Sequence, residues 1–71
     1  MLPDEIAKVQ KYLRTKFSNN QIMIKPPAKP DSPVEIYIGD EFIAVLYRDE
    51  DEGEVSFAVH MSILDIDLTD P

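Results

Sequence analysis

The sequence predicts an α+β domain: one N-terminal helix packed on one face of a three- or four-stranded antiparallel meander. Three observations carry that expectation. Apolar residues at helical spacing are confined to residues 3–17. Two β-rich runs, 34–38 and 41–48, flank the pair Gly39-Asp40. A later run, 54–63, alternates apolar and polar residues with period two. Helical period followed by strand period, with turn residues between strands, marks a helix laid on hairpins.

In the opening helix, Leu2, Ile6, Val9, Leu13 and Phe17 recur at spacings of three and four and form one narrow stripe. Pro3 suits the first helical position. Asp4 and Glu5 complement the positive start of the helix, and Arg14 and Lys16 its negative end. The run Ser18-Asn19-Asn20 ends it, with either Asn suited to the left-handed conformation past a helix terminus. Lys8 and Lys11 point away from the stripe, as a solvated face.

A short strand follows at 21–25, with Ile22 and Ile24 on one side, stopped by Pro26-Pro27, which have no N–H for a ladder. It reads as an edge strand. Prolines at 27, 30 and 33 then have the spacing of a polyproline II connector. The Gly39-Asp40 pair suits a type I′ or II′ turn, and symmetric counting from it pairs Ile38 with Glu41, Tyr37 with Phe42, Ile36 with Ile43, Glu35 with Ala44 and Val34 with Val45. A five-residue acidic loop, 49–53, would place Arg48 opposite Glu54, Val45 opposite Phe57 and Ile43 opposite Val59.

The aliphatic face is then Val34, Ile36, Ile38, Ile43, Val45, Val55, Phe57, Val59 and Met61, covered by the helix stripe. After residue 63 the alternation changes phase, and an extended ending over 64–68 is preferred to a helix capped from Ser62.

Seventy-one residues hold one domain at most, and a domain of that size hides only about 60% of its unfolded surface. With no cysteine there is no disulfide framework, thiolate metal site or thiol nucleophile, and the cytoplasm is the expected location. No export signal or membrane span is visible. The net charge of −7 is unevenly spread. Residues 1–30 carry six basic and two acidic groups, a net of +4, and residues 31–71 one Arg against twelve acids, a net of −11. The acidic half repels polyanions, so nucleic acid is an unlikely partner for the whole surface.

The acidic run near Asp49, Asp51 and Glu52 has no EF-hand spacing, because Gly53 falls at position five and His60 at position twelve. No specific metal or cofactor is expected. His60 is the only histidine, and Ser56 and Ser62 on its strand do not make a triad. Both glycines lie in turns, so no loop cradles phosphate. No enzymatic activity is expected.

One helix covers one face, and the register gathers Tyr37, Phe42, Ala44, Leu46 and His60 on the other. Coverage by Ile66 and Leu68 or by the proline connector competes there with an interface to another protein or a second copy. The leading expectation is a non-enzymatic interaction module, open to homodimerisation through this second face. The alternative is a nucleic-acid binder acting through Lys8, Lys11, Arg14 and Lys25.

The run Val34-Glu35-Ile36-Tyr37-Ile38-Gly39-Asp40-Glu41-Phe42-Ile43-Ala44-Val45-Leu46, the acidic loop ending at Gly53, and the ending Met61-Ser62-Ile63-Leu64-Asp65-Ile66-Asp67-Leu68 carry a resemblance. Together they resemble a family of short alphaproteobacterial proteins classed only as a domain of unknown function. That resemblance implies a bacterial, cytoplasmic protein and transfers no functional residue. The element order is also similar to the double-stranded-RNA-binding fold, but Ser62, Asp65 and Asp67 stand where that fold needs basic residues.

Overall fold

The computed structural model describes residues 1–27, 29 and 32–68. Helix α1 (Pro3–Lys16) is followed by strands β1 (Ile22–Lys25), β2 (Val34–Ile38), β3 (Glu41–Asp51) and β4 (Glu54–His60). The four strands form one antiparallel sheet in chain order, so the fold is the α+β meander that the periodicities predict. The proline connector spans Ala28, Pro30 and Asp31, and its polyproline reading lies outside the described residues.

Local chemistry sets both ends of α1. The Glu5 carboxylate accepts from the Leu2 N–H at 3.0 Å, which ties the chain entering the helix to its first turn. At the other end Ser18, not an asparagine, takes the left-handed conformation at φ 52°. The Ser18 N–H then donates to the Thr15 carbonyl and the Asn19 N–H to the Arg14 carbonyl, which together make a Schellman motif. Asn19 acts one step later, its side-chain oxygen accepting from the Gln21 N–H at 2.8 Å and turning the chain into β1.

Gln10 and Arg14, one helical turn apart, lie along the outer edge of β1. The Ile24 N–H donates to Gln10 Oε1 at 2.9 Å, and Arg14 Nε donates to the Ile22 carbonyl at 2.7 Å. In an edge strand these backbone groups have no neighbouring strand, so the helix supplies their partners and closes that side of the sheet. Arg14 is therefore a structural residue. Because α1 is held to β1, its backbone lies nearest that strand and β4, at the other side of the sheet, stays exposed.

The β2–β3 register follows symmetric counting for two pairs only. Ile38 faces Glu41 and Tyr37 faces Phe42, but beyond a bulge Ile36 faces Ala44, Glu35 faces Val45 and Val34 faces Leu46. Ile43 is the extra residue. A bulge sends two successive side chains toward one face and reverses the alternation after them. Ile43 stays against the core, Ala44 and Leu46 turn under the helix at 1% and 2% exposure, and Val45 passes to the second face. The assignment of Ala44 and Leu46 to the second face is thereby overturned, as is that of Val45 to the aliphatic one.

The β3–β4 connection also differs from the expected five-residue loop. Strand β3 runs through the acidic residues to Asp51, and only Glu52 and Gly53 form the turn, at φ 52° and 85°. Two successive positive φ values are the signature of type I′, whose twist matches that of the strands. Asp51 consequently faces Glu54, Arg48 faces Phe57, Leu46 faces Val59 and Val45 faces His60. The strand ends at His60, and residues 65–68 form a single 3-10 turn, not an extended ending. That turn is closed by the Asp67 N–H donating to the Leu64 carbonyl at 2.9 Å.

The core comprises Leu13, Ile22, Ile24, Val34, Ile36, Ala44 and Leu46, with Met1, Ile6, Val9, Ile38 and Ile43 packed against it. Only the middle of the helix stripe is covered. Leu2 and Phe17 remain exposed, and β4 is exposed along its whole length.

One ion pair ties the start of α1 to the sheet: Arg48 Nε lies 2.8 Å from Glu5 Oε2, and Arg48 Nη1 lies 3.1 Å from Glu50. The Leu2 N–H bond, then the Arg48 bond, hold the Glu5 carboxyl below the ordinary glutamate value. A carboxyl depressed by folding contributes stability that is complete above its unfolded pKa and lost as pH falls through the lower folded value. Glu5→Gln should therefore be less stable than the parent at neutral pH, and the gap should close on acidification below the ordinary glutamate range. Urea midpoints of both chains across that range check this, and a constant gap would contradict it.

Candidate functional site on the second sheet face

On the face opposite the helix, alternation places Met23, Lys25, Glu35, Tyr37, Phe42, Val45, Tyr47, Ala58 and His60 side by side across all four strands. Tyr37 and Phe42 are directly opposite and meet edge to face, ring centroids 5.7 Å apart at 71°. Such pairs are typical of cross-strand packing and hold the two rings in a fixed mutual orientation. The Lys25 ammonium sits 4.0 Å from the centre of the Tyr37 ring, and the Tyr37 hydroxyl donates to Glu35 Oε1 at 3.2 Å. Desolvation, then the neighbouring Glu35 charge, pushes the Tyr37 phenol above its ordinary range. It is a neutral donor at physiological pH.

A second ring pair continues the surface. Tyr47 and His60 meet edge to face at 4.9 Å and 85°, and Val45, paired to Glu35 on one side and His60 on the other, joins the two clusters. Met23, Phe42 and Tyr47 are each about half exposed. Ile66 and Leu68, the described tail residues expected to cover them, are 76% and 67% exposed. What results is an aromatic strip, partly open to solvent, with a few polar groups beside it.

Of the residues expected here, Tyr37, Phe42 and His60 lie on this face, and Ala44 and Leu46 do not. Met23, Val45 and Tyr47 join them. Met23 was legible, since it alternates with Ile22 and Ile24. Val45 and Tyr47 were hidden by the bulge, which no glycine or proline marks.

Of the basic residues in the nucleic-acid alternative, Lys11 is exposed on α1, and Lys8, Arg14 and Lys25 have different surroundings. Arg14 is engaged with β1, Lys25 lies on the second face over Tyr37, and Lys8 borders a groove beside Val9 and Tyr12 on the helix side. His60 has a ring partner in Tyr47, and its cross-strand partner is Val45. Among the described residues no three histidine or carboxylate groups converge as a cation site, and no helix is long and apolar enough to cross a membrane.

The sequence profile of a family described as a protein of unknown function, DUF3126, matches residues 5–67. No curated protein and no solved structure matches the chain.

Proposed function

The chain belongs to the DUF3126 family, and for this member we propose a non-enzymatic protein-interaction module that docks a partner protein on its second sheet face. The observation that supports it most is the aromatic strip of Tyr37, Phe42 and Tyr47, held rigid by edge-to-face contacts yet open to solvent. A face left to water is normally polar, and rigid aromatic groups lose little entropy on binding. Tyr37 and Phe42 act as the anchors, with His60 at the edge of the patch. Because residues 31–71 carry a net −11, the partner's complementary segment presents apolar anchors within a basic rim.

The test is an amide-shift titration with synthetic peptides carrying Leu and Phe anchors flanked by Lys or by Glu. Lys-flanked peptides should shift Met23, Tyr37, Phe42 and Tyr47 in a saturable way, and Glu-flanked ones should bind more weakly. Phe42→Glu should weaken binding about thirtyfold or more, as expected for a lost anchor of about 2 kcal/mol, while the other amide signals keep their positions. Shifts confined to α1 would remove this reading. Tight binding of an RNA duplex that is lost on adding salt would replace it with the nucleic-acid one.

A further inference from the structure

Among the described residues, the edge of β4 is a second surface of this fold without a partner. Strand β1 has α1 along its outer edge, whereas β4 packs on β3 alone. In a two-residue hairpin the pair beside the turn exchanges both hydrogen bonds, here Asp51 with Glu54. The inward-bonded residues of β4 are then Glu54, Ser56, Ala58 and His60. Val55, Phe57 and Val59 therefore turn their N–H and C=O groups outward, and among the described residues nothing bonds to them. Their side chains point to the helix side, where they remain 43%, 37% and 46% exposed. The strand has no proline, no lysine and no bulge, three of the usual protections of an edge.

We propose that β4 pairs antiparallel with β4 of a second copy about a two-fold axis at Phe57, joining the two sheets into one of eight strands. This goes beyond the interaction-module reading, because the edge of β4 is distinct from the second sheet face. Only a register centred on Phe57 pairs all seven residues of both strands. It sets Phe57 against Phe57, Val55 against Val59, Ser56 against Ala58 and Glu54 against His60 of the other copy. The outward-facing groups of Val55, Phe57 and Val59 then meet one another, so the hydrogen-bonding phase of both edges agrees. Charge agrees as well: Glu54 faces the like-charged Asp51 within its own hairpin and gains an imidazole across the new edge.

Surface area supports the same occupant. The chain exposes 5971 Å², whereas a compact monomer of its 8.1 kDa exposes about 4,500 Å². The radius of gyration is 13.5 Å against about 11 Å for a compact chain of this length. Excess surface of that size exceeds the roughly 800 Å² that each partner buries in a stable interface. Phe57 and Val59 also floor an open groove of about 450 Å³, walled by Val9 and Tyr12, and pairing places the same groove of each copy beside the axis.

Sedimentation equilibrium on the parent chain, Phe57→Pro, Phe42→Glu, His60→Glu and the double variant Glu54→Lys/His60→Glu tests the proposal, with amide spectra reporting folding. The parent and Phe42→Glu should be dimers. Phe57→Pro should be a folded monomer, because proline removes an outward N–H that the internal ladder does not use. His60→Glu should weaken the dimer about tenfold by setting carboxylates against each other at both ends, and the double variant should restore it. If Phe57→Pro does not fold, the charge exchange decides: restoration supports the register and its absence overturns it. A monomeric parent overturns the dimer and leaves the peptide-binding face untouched. A dimer that survives Phe57→Pro but is lost in Phe42→Glu overturns it in favour of the second face as the self-association surface.

Discussion

Leu46→Ala is expected to destabilise the fold by about 2–5 kcal/mol, and its neighbour Val45→Ala by about 1 kcal/mol or less. The contrast rests on the bulge at Ile43, which turns Leu46 beneath the helix at 2% exposure and leaves Val45 on the second face. Leu46 packs in the cluster of Val34, Ile36 and Ala44, and removing its isobutyl group leaves a cavity that these side chains can fill only in part. At about 0.05–0.15 kcal/mol per residue the whole domain has roughly 4–11 kcal/mol of stability, so the loss is a large fraction of the total. Urea unfolding of the two variants gives the measurement, read as a shift in midpoint at constant slope. Symmetric pairing without a bulge demands the reverse order, and finding Val45→Ala the more damaging would remove the bulge.

Leu13→Ala should cost a comparable amount, about 2–5 kcal/mol, and its effect should be concentrated where α1 meets β1. Leu13 is the only residue of α1 that is buried, and the backbone of the helix lies closest to β1. With that anchor truncated, the helix is held mainly by the bonds from Gln10 to the Ile24 N–H and from Arg14 to the Ile22 carbonyl, with the Glu5–Arg48 ion pair at its start. Such bonds contribute only about 0.5–1.5 kcal/mol each, more where a charged group takes part. Amide exchange should show α1 and the Ile24 N–H losing protection together, ahead of the β2–β3 ladder. Leu2→Ala and Phe17→Ala, on the same stripe but 66% exposed, should change stability little. Uniform loss of protection across the sheet in Leu13→Ala would mean that helix and sheet open as one unit.

The elements legible in the sequence are those that local chemistry dictates. Pro3, Asp4 and Glu5 mark the start of α1, Gly39 supplies the positive φ of its turn, and period-two alternation identifies the strands and the second-face positions of Tyr37, Phe42 and His60. At the helix end the motif was right and the residue was not, because Ser18 sits at the one position where the Schellman bonds close. The acidic stretch looked like a loop because charge is common in loops. Yet an exposed hairpin arm also needs only solvated side chains, and Glu52-Gly53 can both adopt positive φ.

By itself the sequence determined the fold class, the strand order of the meander, the Tyr37–Phe42 pairing and the division of charge between the two halves, since each follows from residues close together in the chain. Tertiary structure alone decided that Ile43 bulges, that Leu46 and not Val45 enters the core, and that α1 covers β1 while β4 stays open. The physical reason is that these outcomes are settled by packing between distant segments. Bulging admits Ile43, Ala44 and Leu46 to the same side, which fills the space under Leu13 with two large side chains and one small one. The helix in turn goes where Gln10 and Arg14 find unpaired backbone groups, at the edge of β1.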